Sequence, residues 1–410
     1  MAPDVVIAGG GPGGSVCAAR LAQRGVSVLL LEKARFPRFH LGESLLPQSV
    51  NVFRELGIMP ELERRFMVKR GARFHESKTE RTVRYDFSEA FDKSTTFAFQ
   101  VPRDEFDELL LRRAQSLGAE VREEWSVTRI RFEGGRAVGV EARDPAGNVH
   151  TIDAKFVIDA TGRSALLAHT DRSITKVPHL DKTAMFSQYR NATRETGDSE
   201  GDIQIILFEG GWFWMIPFKD GRTSFGGVAS SEWMKARAPG ETIDDLYKRA
   251  IRECSVATRL LAGAEQLFPA EATADFSFRV RDLGGPGWLV VGDAGGFIDP
   301  LFSTGAHLAM HGALHGADLV ADALAANDTS CERFAAWKTT MRRGAELFLG
   351  SVQAFYQGTL TEYIFAEKQH PFLRHAITSM LAGDVFHGDQ RWSRELTARF
   401  PPVLEPPAQG

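Results

Sequence analysis

Apolar positions in the first part of the chain fall in short unbroken runs. Val5-Val-Ile-Ala8 leads into Gly9 to Gly14, residues 15–23 follow with helical spacing, and a second apolar run at 26–31 ends at Glu32. Short continuous runs bounded by glycine predict buried strands, so this stretch reads as strand, glycine turn, helix, strand: a βαβ unit. Helical periodicity returns at 45–56 and 105–117, and alternation predicts strands at 120–132, 137–142 and 150–159. From 183 to 230 short alternating segments separated by Gly-rich turns predict an antiparallel sheet. Residues 241–261 read as helical. Trp288-Leu-Val-Val291 is one more buried strand, again followed by glycines and a long helix. The remainder is mostly helical until the Pro-rich end, 401–410.

No internal repeat or long linker divides the 410 residues, so the units are interleaved. A composition of 43% hydrophobic and 25% charged residues is that of a globular protein. The formal charge of −4 argues against a nucleic-acid binder, which carries a basic domain. Cys17, Cys254 and Cys331 are far apart and form neither a disulfide framework nor a metal knuckle, which fits a reducing cytoplasm. No apolar run reaches the roughly 18 residues of a membrane span. The aromatic residues are mostly Phe, 29 against 5 Tyr, which suits a large apolar cavity as well as a plain core.

Chemistry first shows at Gly9-Gly-Gly11-Pro-Gly13-Gly14, a GxGxxG turn at Gly9, Gly11 and Gly14 between a strand and a helix. Glycines there permit a tight turn and let a pyrophosphate approach backbone N–H groups at the helix start. Glu32, at the end of the second strand, can accept hydrogen bonds from a ribose diol and would repel a 2′-phosphate. NAD and FAD both remain open on this motif alone.

Two distant segments distinguish them. Phe156-Val-Ile-Asp159-Ala-Thr-Gly162 and Trp288-Leu-Val-Val-Gly292-Asp293-Ala-Gly295-Gly296 resemble the ATG and GD signatures of FAD-dependent oxidoreductases of the hydroxybenzoate hydroxylase group. Val101-Pro-Arg103-Asp-Glu-Phe-Asp107 resembles that group's arginine segment. The resemblance implies FAD, with Asp293 at the ribityl chain, Arg103 near the cofactor, and Lys33, Arg38, Ser44 and Gly305 also in its site. It implies an α/β fold: a Rossmann-like FAD-binding domain (1–75, 100–170 and 275–325), an interleaved antiparallel-sheet substrate domain (76–99 and 171–274), and a helical C-terminal region (326–410).

Three further segments are sharper. Gly211-Trp212-Phe-Trp214-Met-Ile216-Pro217 resembles the WxWxIP signature of flavin-dependent halogenases, and Gly42-Glu43-Ser44 completes the early pattern. Lys69, in Met67-Val-Lys69-Arg-Gly71, matches the segment carrying that family's active-site lysine. Asp299-Pro300-Leu-Phe302-Ser303-Thr304-Gly305 resembles the segment that holds the halide through backbone amides, here Ser303, Thr304 and Gly305. The resemblance implies that reduced FAD and oxygen oxidise chloride or bromide, while a bulky wall, Trp212, Trp214 and Phe302, keeps the organic substrate away. It also implies that Lys69 delivers the electrophilic halogen, a natural task for a desolvated lysine.

Tryptophan halogenases carry a glutamate where this chain has Phe302. The resemblance therefore points to the phenol and pyrrole branch, with an electron-rich aromatic substrate, free or tethered to a carrier protein. For that branch the chain looks short at its C-terminal end. With no second GxGxxG for NAD(P)H, a separate flavin reductase is the expected source of reduced FAD. His307, His311 and His315 share a helical face but lack the HExxH pattern, so packing is expected there and no metal. Phe348, Phe355, Tyr356, Tyr363 and Phe365 read as core, or else as cavity lining or a partner-docking face. A hydroxylase or a reductase of isoprenoid double bonds on the same scaffold, and a non-catalytic flavin-binding partner protein, remain the alternatives.

Overall fold

The structure, a computed structural model, describes residues 2–274, 277–387 and 390–404; the Pro-rich end from 405 to 410 lies outside the described residues. Val5–Ala8 is buried at all four positions and lies inside a six-stranded sheet. The sheet order is Gly284–Gly285, Trp288–Val290, Phe156–Asp159, Val5–Ala8, Val28–Glu32, Glu120–Glu123. Every pairing in it is parallel except the first. Strands buried on both faces read as unbroken apolar runs, which is why their positions were visible in the sequence. The helices Pro12–Gln23 and Thr304–Ala325 pack in the same apolar cluster as this sheet.

Two expected strands are each divided. The 120–132 pattern breaks at Glu124, whose φ of 65° turns the chain out of the parallel sheet. Glu120–Glu123 stays there, while Ser126–Glu133 joins Arg136–Arg143 and Val149–Asp153 in a three-stranded antiparallel sheet. The 150–159 pattern divides likewise, between Asp153 and Phe156. Alternation cannot register a change of sheet, because both halves keep the same period.

The largest sheet runs Glu265–Gln266, Lys182–Arg190, Thr223–Ser230, Gly211–Pro217, Ile203–Phe208, Gly71–Glu76, Arg81–Asp86, with Glu271–Ala274 also on Lys182–Arg190. Its pairings are antiparallel except that of Ile203–Phe208 with Gly71–Glu76. Gly71–Glu76 spans the boundary expected at residue 75 and pairs wholly within this sheet. Just before it, Met67–Lys69 pairs with Ala98–Gln100.

Residues 241–261 form two helices, Ile243–Arg252 and Ser255–Leu260, separated where Cys254 is extended. The C-terminal helices Ala335–Tyr356, Thr359–Ile364, Pro371–Leu381 and Arg391–Arg399 pack onto the large sheet. Phe348, Phe355 and Phe365 are buried in one cluster with Trp212, Trp214 and Phe302, and Tyr356 and Tyr363 pack against its edge. Each such buried phenylalanine contributes about 1.5–3 kcal/mol over an exposed one, which ties the helical region to the sheet. Among the described residues no helix is long and apolar enough to cross a membrane.

Candidate active site

A cavity of about 550 Å³ runs from the glycine turn to the Gly211–Pro217 strand. It opens at the carboxyl ends of the parallel strands, the usual ligand crevice of such sheets. The three turn glycines do different work. Gly9 has φ 104°, and a Cβ there would meet Ala160 O at 2.3 Å; a Cβ on Gly14 would meet Gly9 O at 1.9 Å. Those two let turn, strand and helix pack, and Gly14 lies under the turn instead of lining the cavity. Gly11 lines it, and a Cβ there would find only Arg38 Nη2, at 3.6 Å.

Glu32 lines the same end, buried, with Oε2 accepting from Gly10 N (2.6 Å) and Oε1 from Ala34 N (2.8 Å). Each oxygen keeps a further lone pair for a ligand hydroxyl. Lys33, Arg38, Ser44, Arg103, Asp293 and Gly305 also line the cavity. Arg103 is held by a bidentate bond to buried Asp107 (2.7 and 3.0 Å) and donates to Leu41 O (2.6 Å). Asp107 also faces Arg38, 3.3 Å away. Burial raises Asp293 to about 6, and the Arg103 guanidinium opposes that rise. The bare backbone at Gly11, a carboxylate beyond it and fixed guanidinium groups are a donor set that fits a dinucleotide.

Trp212 and Trp214 line the far end, their rings 6.1 Å apart and tilted by 53°. Both are buried on one face of the strand, as i and i+2 residues must be. Trp214 lies over Gly226 of the neighbouring strand, where a Cβ would stand 2.2 Å from the indole. Opposite, Ser303, Thr304 and Gly305 open the 22-residue helix Thr304–Ala325 and line the cavity. Ser303 has φ 57° and its hydroxyl accepts no hydrogen bond from a helix N–H.

Lys69 is buried and is not among the lining residues. Nζ donates to Ser44 Oγ (2.9 Å) and Leu45 O (3.0 Å), and lies 5.3 Å from the Phe87 ring. It therefore stands between the lining residue Ser44 and the apolar cluster that contains Phe87. Burial lowers its ammonium from 10.5 to about 7, with Asp202 pulling the other way. Phe302, expected in the wall, does not reach the cavity; it is buried edge-on to Phe355.

A family model described as tryptophan halogenase matches residues 4–91 and 78–368. The chain belongs to this family of flavin-dependent halogenases. It is 34% identical to a tryptophan 2-halogenase of Chondromyces crocatus over 78% of its own length, but spans only 61% of that relative. It is 30% identical to the 1H-pyrrole-2-carbonyl peptidyl-carrier-protein chlorinase of Pseudomonas fluorescens, covering 94% of this chain and 90% of the relative. Among solved structures, a flavin-dependent brominase superposes with a TM-score of 0.86 at 26% identity, over 98% of this chain and 99% of the other. The myxobacterial chondrochloren halogenase gives 0.81 at 34% identity, over 86% and 82%. FAD is the cofactor of the family.

One residue of the cavity has no role assigned from the sequence. Glu43 lines the cavity, and its carboxylate accepts from Ser224 Oγ (2.8 Å), which accepts from Trp214 Nε1 (3.1 Å). Burial raises Glu43 to about 7. The Gly42-Glu43-Ser44 pattern marked the position, but Ser224 lies 181 residues on and carries no motif of its own. Two of the three helix histidines are packed, whereas His315 is exposed. His307 Nε2 donates to Gly383 O (2.9 Å) while Nδ1 accepts from Ser49 Oγ (3.0 Å), and His311 stacks on Phe386 at 3.7 Å.

Proposed function

We propose that the protein halogenates an electron-rich aromatic ring, a phenol or a pyrrole, free or tethered to a carrier protein, using reduced FAD, oxygen and chloride or bromide. The observation that carries this reading is one cavity bounded by the glycine turn, the paired indoles and a helix start, with a buried lysine one hydroxyl behind its wall. Bound reduced flavin supplies the electrons with which oxygen oxidises the halide. The chain's own residues do the rest. Gly9 and Gly11 bare the backbone for the pyrophosphate, Glu32 takes the ribose, and Arg103 and Asp293 hold the remainder of the cofactor. Lys33, Arg38 and Ser44 complete that set.

The amides of Thr304 and Gly305, at the positive end of a long helix, hold the halide. Trp212 and Trp214 exclude the organic ring from the flavin. Lys69, near half-charged at neutral pH, hydrogen-bonds the oxidised halogen or takes it as a haloamine and passes it to the ring. A separate flavin reductase, in the cytoplasm, supplies reduced FAD. The likeness to the pyrrole chlorinase along nearly its whole length supports a carrier-tethered pyrrole.

Lys69→Ala tests the reading with supplied reduced FAD, bromide and a panel of phenols and free or carrier-bound pyrroles. The variant should consume oxygen and yield no halogenated product, while the wild type yields one. A variant that halogenates as well as the wild type contradicts the role of Lys69. A wild type that hydroxylates a ring, or reduces a double bond, contradicts the function.

A further inference from the structure

Two walls of the cavity come from segments far apart in the chain: Trp212 on its strand, and the loop that begins at Pro300. They are joined through a residue of the C-terminal helix Ala335–Tyr356. Trp212 Nε1 donates to Tyr356 Oη (2.9 Å), and Tyr356 Oη donates to Asp299 Oδ2 (3.0 Å). Asp299 is fully buried, and its Oδ1 accepts from Leu301 N (3.0 Å), so the carboxylate also shapes the turn leading to Ser303. Lys182 Nζ lies 4.4 Å over the Tyr356 ring. Burial raises Asp299 to about 7, and Lys182 favours its charged form.

We propose that Tyr356 is a positioning residue: by bridging Trp212 to Asp299 it sets the spacing between the indole wall and the Pro300–Gly305 loop, and so sets how well halide is captured there. The proposal rests on the halogenase reading. A hydroxyl suits the place because it accepts from the indole and donates to the carboxylate at once; no apolar side chain can do either. Removing it leaves two buried groups unpaired on opposite walls, and the loop and the indole then find separate partners. The oxidation of halide needs its atoms within reach of a fixed oxidant, so a small change in spacing diverts the oxidant to hydrogen peroxide.

Tyr356→Phe tests this, since it keeps the ring packed against Phe355 and under Lys182. Two readouts are needed. In flavin-free protein, the indole N–H signals of the seven tryptophans are recorded by nitrogen-15 NMR, with Trp212 identified by its loss in Trp212→Phe. In Tyr356→Phe the Trp212 signal should move and its proton should exchange with water about tenfold faster, as expected for one lost buried hydrogen bond. In FAD-loaded protein, the bromide concentration that halves peroxide release should rise by about threefold or more, with flavin affinity unchanged.

An unmoved Trp212 signal overturns the bridge. A moved signal with unchanged bromide dependence overturns the coupling and leaves Tyr356 a packing residue. A wild type whose peroxide release ignores bromide overturns the halogenase reading and the halide role with it, and the indole signal alone then decides the bridge.

Discussion

Replacing Lys69 by methionine should make the protein more stable at neutral pH and less stable at alkaline pH. The lysine is 1% exposed, and burial takes its ammonium from 10.5 down to about 7. Between those values the unfolded chain holds a proton that the folded chain has lost, so stability rises with pH by about 1.4 kcal/mol for each pH unit. Carrying the lysine at pH 7 thus costs about 4–5 kcal/mol relative to pH 10.5. Methionine fills a similar volume and removes that burden. It also removes the bonds to Ser44 Oγ and Leu45 O, a loss of about 2–3 kcal/mol in all. The net gain is about 2 kcal/mol at pH 7, turning into a loss of about the same size near pH 10. Urea unfolding of both proteins across this range, followed by tryptophan fluorescence, should give two curves that cross. Other titrating groups are common to both and cancel in the difference. Parallel curves would mean that Lys69 stays hydrated in the folded protein, and the argument for a desolvated, half-charged amine would fail. The same variant should form no halogenated product, a trade of stability against function.

Four further variants probe the cavity and the packing behind it. Gly11→Ala should leave unfolding within about 0.5 kcal/mol of wild type, because the site has room, yet weaken FAD binding by about tenfold or more, measured by flavin fluorescence. Gly14→Ala should instead destabilise the apoprotein by about 3 kcal/mol or more, since its Cβ strikes Gly9 O; normal stability would refute the packing role. Gly226→Ala should displace the Trp214 indole and cost about 1–3 kcal/mol, seen as a lower Tm with shifted tryptophan emission. Glu43 is raised from 4.5 to about 7, so the folded chain holds the extra proton between those values and stability falls as pH rises through them. Glu43→Gln should flatten that fall in urea unfolding between pH 5 and pH 7, and an unchanged slope would assign it elsewhere.

What could be read in the sequence divides by the range of the interactions involved. The glycine turn, Glu32 and the parallel strands were legible because their signals are local: buried runs, φ-permissive glycines and a carboxylate at a strand end. Trp212 and Trp214 were legible as a same-face pair. Lys69 was not legible from periodicity, since its strand, Met67–Lys69, is three residues long, and only the motif marked it. Gly14 and Phe302 were expected in the site, and both lie behind it, because a motif gives positions without directions. The joins made by Ser224, Asp299 and Tyr356 were invisible. They are hydrogen bonds between residues 57 to 181 positions apart, formed only once sheet, loop and C-terminal helix have packed. The breaks at Glu124 and Cys254 were missed for a related reason: one residue's backbone ends an element while the hydrophobic period runs on.

The central claim is that oxidant made in this cavity goes to halide before it goes to an organic ring. The most direct measurement is to reduce the FAD-loaded protein, mix it rapidly with oxygen over a range of bromide concentrations, and record flavin reoxidation and released hydrogen peroxide. The account predicts faster reoxidation and less peroxide as bromide rises. Reoxidation and peroxide yield that ignore bromide would contradict it.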